Sequence, residues 1–186
     1  VIGLGALTVT VIIPSIKYNN AVKSVEEKNY EEAYITFKSL YTFKDSQEKA
    51  KELIKAYPQV AQIGDIIYFG NYEQDNRTAN GKEEIEWRVL EKDAEGNMLV
   101  VSRYALDCRR YHDSVAQVTW ENCDLRQWLN NDFYSTAFSN ADKKKIKATT
   151  IENRDNADYY TSGGNDTKDK VFLLSIDEVK TYLPME

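Results

Sequence analysis

Histidine occurs once in this 186-residue chain, as His112, and cysteine twice, as Cys108 and Cys123. A structural zinc site closes with four nitrogen or sulfur ligands at characteristic spacing. These three residues do not provide that pattern, so no metal ligand is assigned and His112 is expected on a surface loop. The sequence also lacks a Gly-x-Ser-x-Gly nucleophile elbow, a phosphate-binding loop and a dinucleotide fingerprint. The residues therefore assign no catalytic group and no cofactor. Basic residues are in deficit, 24 against 30 acidic, for a net charge of −6. A nucleic-acid partner, which is usually met by a basic face, is not expected.

Long apolar runs are scarce too, with one exception. Residues 1–16 read VIGLGALTVTVIIPSI, with no charge before Lys17. As a helix this run would span about 24 Å, short of the ~30 Å hydrocarbon core. It reads as the outer part of a transmembrane helix, residues 1–17, whose beginning lies upstream. Pro14 falls near its end, where a break is tolerated. The alternative is a buried helix or strand of a water-soluble domain. A signal peptide is disfavoured, because no small-residue cleavage site follows. With the start in the cytosol, the expected location is a single-pass protein of the cell membrane with an extracytoplasmic body.

What the chain has in quantity is aromatics, with thirteen Tyr and three Trp. Such side chains build cores and also recognition surfaces. Residues 18–62 carry helical periodicity. Ala21, Val22 and Val25 share one face, Lys28-Asn29 makes a turn, and Tyr30, Ala33, Tyr34, Ile35, Phe37 and Leu40 continue the 3.6 period. Asp45-Ser46 is placed to cap a third helix with Ala50, Leu53, Ile54 and Tyr57 on its apolar face. Pro58 ends it. The phrase Asn29-Tyr30-Glu-Glu-Ala33-x-x-x-Phe37 resembles the inner helix of a tetratricopeptide repeat. A single such unit cannot bury its own face. The segment is therefore expected to act as a stalk or docking collar.

From Ile63 the pattern turns to strands. Gly64-Asp-Ile-Ile-Tyr-Phe-Gly70 is the first, followed by a polar loop over residues 74–82. Ile85-x-Trp87-x-Val89-Leu90 and Met98-Leu-Val-Val-Ser102 flank the turn Asp93-Ala-Glu-Gly96-Asn97, as in a hairpin. A helix is expected from Trp120 to about Phe138, with Leu125, Trp128, Leu129, Phe133 and Ala137 largely on one side. Ser139-x-x-Asp142 and Ser175-x-x-Glu178 read as capping boxes that open two further helices. Residues 153–168 read as an exposed polar loop. Val171-Phe-Leu-Leu174 reads as a buried strand.

Taken in order, Ile63-Gly-Asp-Ile-Ile-Tyr-Phe-Gly, Ile85-Glu-Trp-Arg-Val-Leu, Thr119-Trp-Glu-Asn-Cys-x-Leu-Arg-x-Trp-Leu-Asn-x-x-Phe-Tyr, Ala137-Phe-Ser and Asp169-Lys-Val-Phe-Leu-Leu-Ser-x-x-Glu-Val are similar to an uncharacterised bacterial domain family. The resemblance covers residues 63–186. It implies a divergent C-type-lectin-like fold, distantly akin to formylglycine-generating enzymes, often found behind a membrane helix and tetratricopeptide-like repeats. Members continue into a Trp-Trp-Leu-Arg-Ser-Pro-Gly stretch and a closing strand that this chain does not contain. The lectin-like domain is therefore expected to be incomplete here, with exposed apolar edge.

Several residues invite function. Cys108 and Cys123 either form a disulfide, worth roughly 3 kcal/mol for a loop of this size, or remain reduced. A copper–thiolate role of the kind implied by formylglycine-generating enzymes is a minor alternative. Asp155, Asp158, Asp166 and Asp169 lack the alternating ligand order of a calcium loop. Trp120-Glu121-Asn122 superficially resembles the Trp-Asn-Asp calcium motif of lectins, but it is expected to open a helix, whereas the lectin motif lies in late strands. A solvated polar loop is the expectation. Trp120, Arg126, Trp128 and Asn130 are candidate binding residues. Arg126 either contributes a cation–π ligand contact or pairs with a carboxylate and fixes its helix to a sheet.

The sequence reading is thus an α+β protein, a mixed sheet with flanking helices behind an α-helical hairpin. Its expected role is a membrane-anchored, non-enzymatic recognition module of the cell envelope, with an envelope protein, peptide or glycan as partner. The alternatives are an enzyme related to the formylglycine-generating group and a scaffold that docks a partner through residues 18–62.

Overall fold

The computed structural model describes residues 12–183. The architecture is α+β. Two compact units are distinguished, one of Val1–Tyr68 with Glu86–Val101, the other of Phe69–Ile85 with Ser102–Glu186.

In the first unit the helical periodicity becomes three helices: α1 (Ile13–Glu26), α2 (Tyr30–Ser39) and α3 (Ser46–Ala56). Lys28 adopts a left-handed φ of 64°, which turns the chain sharply between α1 and α2. Packing is close because Ala21 on α1 and Ala33 on α2 are both buried. Around them lie Phe37, Leu53 and Ile54, each worth roughly 1.5–3 kcal/mol on full burial. Ile35, expected on the apolar face, is exposed instead. Tyr18 sets its ring edge-on to Phe37 at 5.6 Å. Its hydroxyl donates to Asp45 Oδ1 at 2.5 Å. That bond, with the Lys49 ion pair, engages the Asp45 carboxylate, and Asp45 does not cap α3 as its sequence position suggested. Pro58 opens a 3₁₀ turn, Pro58–Val60, immediately after α3.

Asp65 is the polar centre of this unit. It is buried, and it accepts from the Tyr34 hydroxyl at 2.7 Å, the Gln62 amide at 2.9 Å and the Lys38 ammonium. Burial, and then the Asp65 hydrogen bond, push the Tyr34 phenol far above its ordinary value.

The strands β1 (Ile66–Tyr72), β2 (Glu83–Lys92) and β3 (Met98–Ser102) form a sheet in the order β1-β2-β3. Alternation along β2 buries Ile85, Trp87 and Val89. The β2–β3 turn closes as expected: Asp93 N donates to Asn97 O, and Gly96 takes φ +83°. A second, two-stranded antiparallel sheet pairs β4 (Thr149–Ile151) with β5 (Thr167–Asp169), so Thr149 faces Asp169. The strands thus divide between two sheets. The end of the expected loop over residues 153–168 is strand β5.

The expected long helix from Trp120 is broken in the second unit. Trp120–Asn122 is a 3₁₀ turn, and Cys123 is extended at ψ 150°. Helix α4 (Asp124–Trp128) then starts with Cys123 as its N-cap, its sulfur accepting from Arg126 N at 3.4 Å. A π-helical turn, Leu129–Phe133, continues into α5 (Tyr134–Ala137). Both capping boxes form, at Ser139 for α6 (Asn140–Lys143) and at Ser175 for α7 (Ile176–Tyr182). Residues 172–175 have no regular structure, and Leu173 is half exposed, in place of the expected buried strand. Phe133, Tyr134, Ala137 and Phe138 form the apolar centre, with Phe69 5.4 Å from Phe138.

Residues 1–11 of the apolar run lie outside the described residues. No helix among the described residues is long and apolar enough to cross a membrane.

Candidate functional site

The four candidate residues near α4 separate into two groups. Trp120, Arg126 and Asn130 serve β5 and the residues after it; Trp128 does not.

Asp169, at the end of β5, is 1% exposed. A carboxylate so deeply withdrawn from water must be met by donors. It receives the Trp120 indole N–H at 2.9 Å, Arg126 Nε at 2.8 Å and the Thr167 hydroxyl at 2.7 Å. A terminal nitrogen of Arg126 also donates to Glu121 O at 2.9 Å. Arg126 thus takes the carboxylate partner that one sequence reading required. Asp169 is not the solvated loop residue expected from its acidic neighbours. Asn130 completes the bracket. Its amide oxygen accepts from Lys170 N at 2.8 Å, and its nitrogen donates to Val171 O at 2.9 Å.

Both cysteines are free thiols, Cys108 exposed and Cys123 buried. Tyr111 lies against Cys123, and its phenol is pushed up to about 12, first by burial and then by that sulfur. His112 is half-buried, its Nδ1 2.7 Å from Asp124 Oδ2. Glu73, Asp75 and Glu83 approach one another closely enough to share an ion. All three accept loop backbone amides: Arg77 N reaches Glu73 and Asp75, and Gln74 N reaches Glu83. They brace the loop before β2.

Trp128 lines a cleft of about 320 Å³ together with Tyr72, Arg109, Asp132, Phe133 and Thr136. The π-helical turn supplies both Asp132 and Phe133. Such widened turns frequently occur at functional positions. Arg109 places its guanidinium 4.7 Å from the Trp128 ring centre. Phe133 backs the wall, 5.5 Å from Trp128 and 5.0 Å from Tyr72. Tyr72 donates to Asp107 Oδ2 at 2.6 Å, and Arg109 Nε lies 3.6 Å from the same oxygen. Burial and the Asp107 hydrogen bond push the Tyr72 phenol up to about 12. Burial works against the Asp107 charge, but the bonds from Tyr72 and Cys108 N, with Arg109 nearby, hold its carboxyl below the ordinary range. This arrangement offers an aromatic wall, one cation and one carboxylate at a single opening.

Tyr72, Arg109, Asp132 and Thr136 were missed from sequence. Tyr72 sits in a strand and Arg109 in a long irregular segment, so no local spacing joins them. The one available signal was the density of aromatics around Trp128.

Residues 95–185 match the model of a domain of unknown function (DUF6273). That stretch holds β3, α4, the Asp169 bracket and five of the six cleft residues named above. No curated protein and no solved structure matches the chain.

Proposed function

We propose that this protein is a membrane-tethered, non-enzymatic recognition module of the bacterial cell envelope. In this reading residues 63–186 are a divergent C-type-lectin-like domain, and residues 18–62 are a tetratricopeptide-like collar. The supporting observation is the Trp128 cleft, where an aromatic wall meets Arg109 and Asp132. Small-ligand sites typically combine apolar walls with a few convergent polar groups. The anchor is supported by the apolar run of residues 1–16 and by Ile13 and Ile16 of α1, which are 44% and 55% exposed. The partner is an envelope protein, peptide or glycan.

Titration of the intact chain with soluble peptide and saccharide fragments of the cell wall tests this role. Amide shifts centred on Trp128 and Arg109, lost in Trp128→Ala, are the expected result. Stoichiometric copper bound by Cys108 and Cys123 would replace this reading with the formylglycine-generating-type enzyme. The anchor predicts that the chain floats with phosphatidylcholine vesicles and that removal of residues 1–17 abolishes flotation. A chain that stays in the dense fraction refutes the anchor.

A second reading, docking through the helices, has its own support. An open groove of about 680 Å³ lies beside α2, lined by Asn29, Tyr30, Glu31, Ile35 and Gln59 among others. It is larger than the Trp128 cleft but open to solvent. Its lining offers Tyr30 and the exposed Ile35, where the cleft sets Tyr72, Trp128 and Phe133 beside Arg109 and Asp132, so the cleft carries the preferred reading.

A further inference from the structure

The charges of the Trp128 cleft point to a ligand class. Arg109 and Asp132 line the same small space, and among the described residues no ion pair joins them. Arg109 Nε faces Asp107, while its two terminal nitrogens have no carboxylate partner among the described residues. Asp132 likewise has no cationic partner there. The lining therefore carries Arg109, flanked by Asp107 on its Nε side with its terminal nitrogens turned to no carboxylate among the described residues, and Asp132, which has no cationic partner there, beside an aromatic wall.

Ligands of different charge fare differently in this space. An anion would be drawn to Arg109 but would meet Asp132, and a cation would meet the converse. A neutral ligand would cover both charges without compensating either, which costs desolvation. A molecule with both charges and an apolar portion between or beside them satisfies every group. At about 320 Å³ the cleft is at the small end of ligand pockets.

We propose that this cleft takes a small zwitterion, a free amino acid or a short peptide with free ends. Its carboxylate sits on the planar fork of Arg109, where two parallel hydrogen bonds are available. Its ammonium pairs with Asp132. An apolar side chain lies against Trp128, Phe133 and Tyr72. This rests on the recognition reading above and narrows its partner to peptide chemistry.

The test uses the intact chain and four probes: leucyl-leucine, N-acetyl-leucyl-leucine, leucyl-leucinamide and N-acetylglucosamine. Leucyl-leucine shifts the amide signals of Arg109, Trp128 and Asp132. Blocking either end weakens binding about fivefold, the factor expected for one partly exposed ion pair. Arg109→Gln removes discrimination against the amide, and Asp132→Asn removes discrimination against the acetylated form. Both residues are exposed, so these variants keep the fold, which an unchanged circular dichroism spectrum verifies. Equal binding of all three peptides overturns the charge assignment. Binding of N-acetylglucosamine in the cleft without leucyl-leucine overturns the zwitterion and leaves the recognition reading standing. A cleft silent to all four probes overturns this inference, and the cell-wall fragment titration then decides the recognition reading separately.

Discussion

Replacing Asp169 by Ala removes one acceptor from three donors at once. The Thr167 hydroxyl is buried, and the Arg126 side chain is 23% exposed, so neither is readily rehydrated. A neutral hydrogen bond contributes about 1 kcal/mol and one to a charged group about 2 kcal/mol. Three such losses, discounted because Arg126 recovers some water, leave about 3 kcal/mol, at the lower edge of what breaking a buried pair costs. Cys123 offers a local reporter. Its thiol is buried and caps α4, which Arg126 holds to β5. In a Cys108→Ser background, labelling of Cys123 by a thiol reagent follows the population in which α4 has opened. A change of about 3 kcal/mol corresponds to roughly a hundredfold faster labelling. The double variant Arg126→Met with Asp169→Leu recovers most of the protection, since an apolar pair leaves no buried charge. If Asp169→Ala accelerates labelling less than about threefold, the bracket does not hold α4 in place and the argument fails.

Alkaline titration tests the cleft from another side. The Tyr72 phenol is raised in the folded protein from its ordinary value of 10.0 to about 12. Its stabilising contribution is therefore complete below pH 10 and is lost as pH rises through about 12. Absorbance at 295 nm should show a group of late-ionising tyrosines, Tyr34 and Tyr111 among them, whose amplitude falls by one tyrosine in Tyr72→Phe; an unchanged late amplitude refutes the hydrogen bond. At Gly70, φ is +75° and an added Cβ would lie 2.7 Å from the Phe138 ring and 2.9 Å from Ala137 O. Gly70→Ala is expected to cost about 2 kcal/mol or more, measured by urea denaturation; an unchanged midpoint contradicts the close packing.

Local pattern was legible in the sequence wherever local physics decides the structure. The helices over residues 18–57, the strand at Met98–Ser102 and both capping boxes follow from periodicity and from Ser side chains positioned to take an amide three residues on. The helix from Trp120 failed because its apolar spacing does not reveal the extended conformation of Cys123 or the π-helical turn. Strand β5 was hidden because Thr167-Lys-Asp169 has no strand composition; it is held by pairing to β4 and by the donors that converge on Asp169. Within the site, a carboxylate partner was one of two sequence readings of Arg126, and nothing short-range could say which carboxylate it would be. The cleft was illegible because Tyr72, Arg109 and Asp132 meet only through the tertiary arrangement.

Asp65 stands directly ahead of β1 and gathers Tyr34 and Lys38 from α2. A pull applied at the N-terminal helices would therefore reach the first strand sideways through these contacts, before the connecting stretch after α3 could be drawn taut. Helices and strand would yield together under load, as one mechanical element.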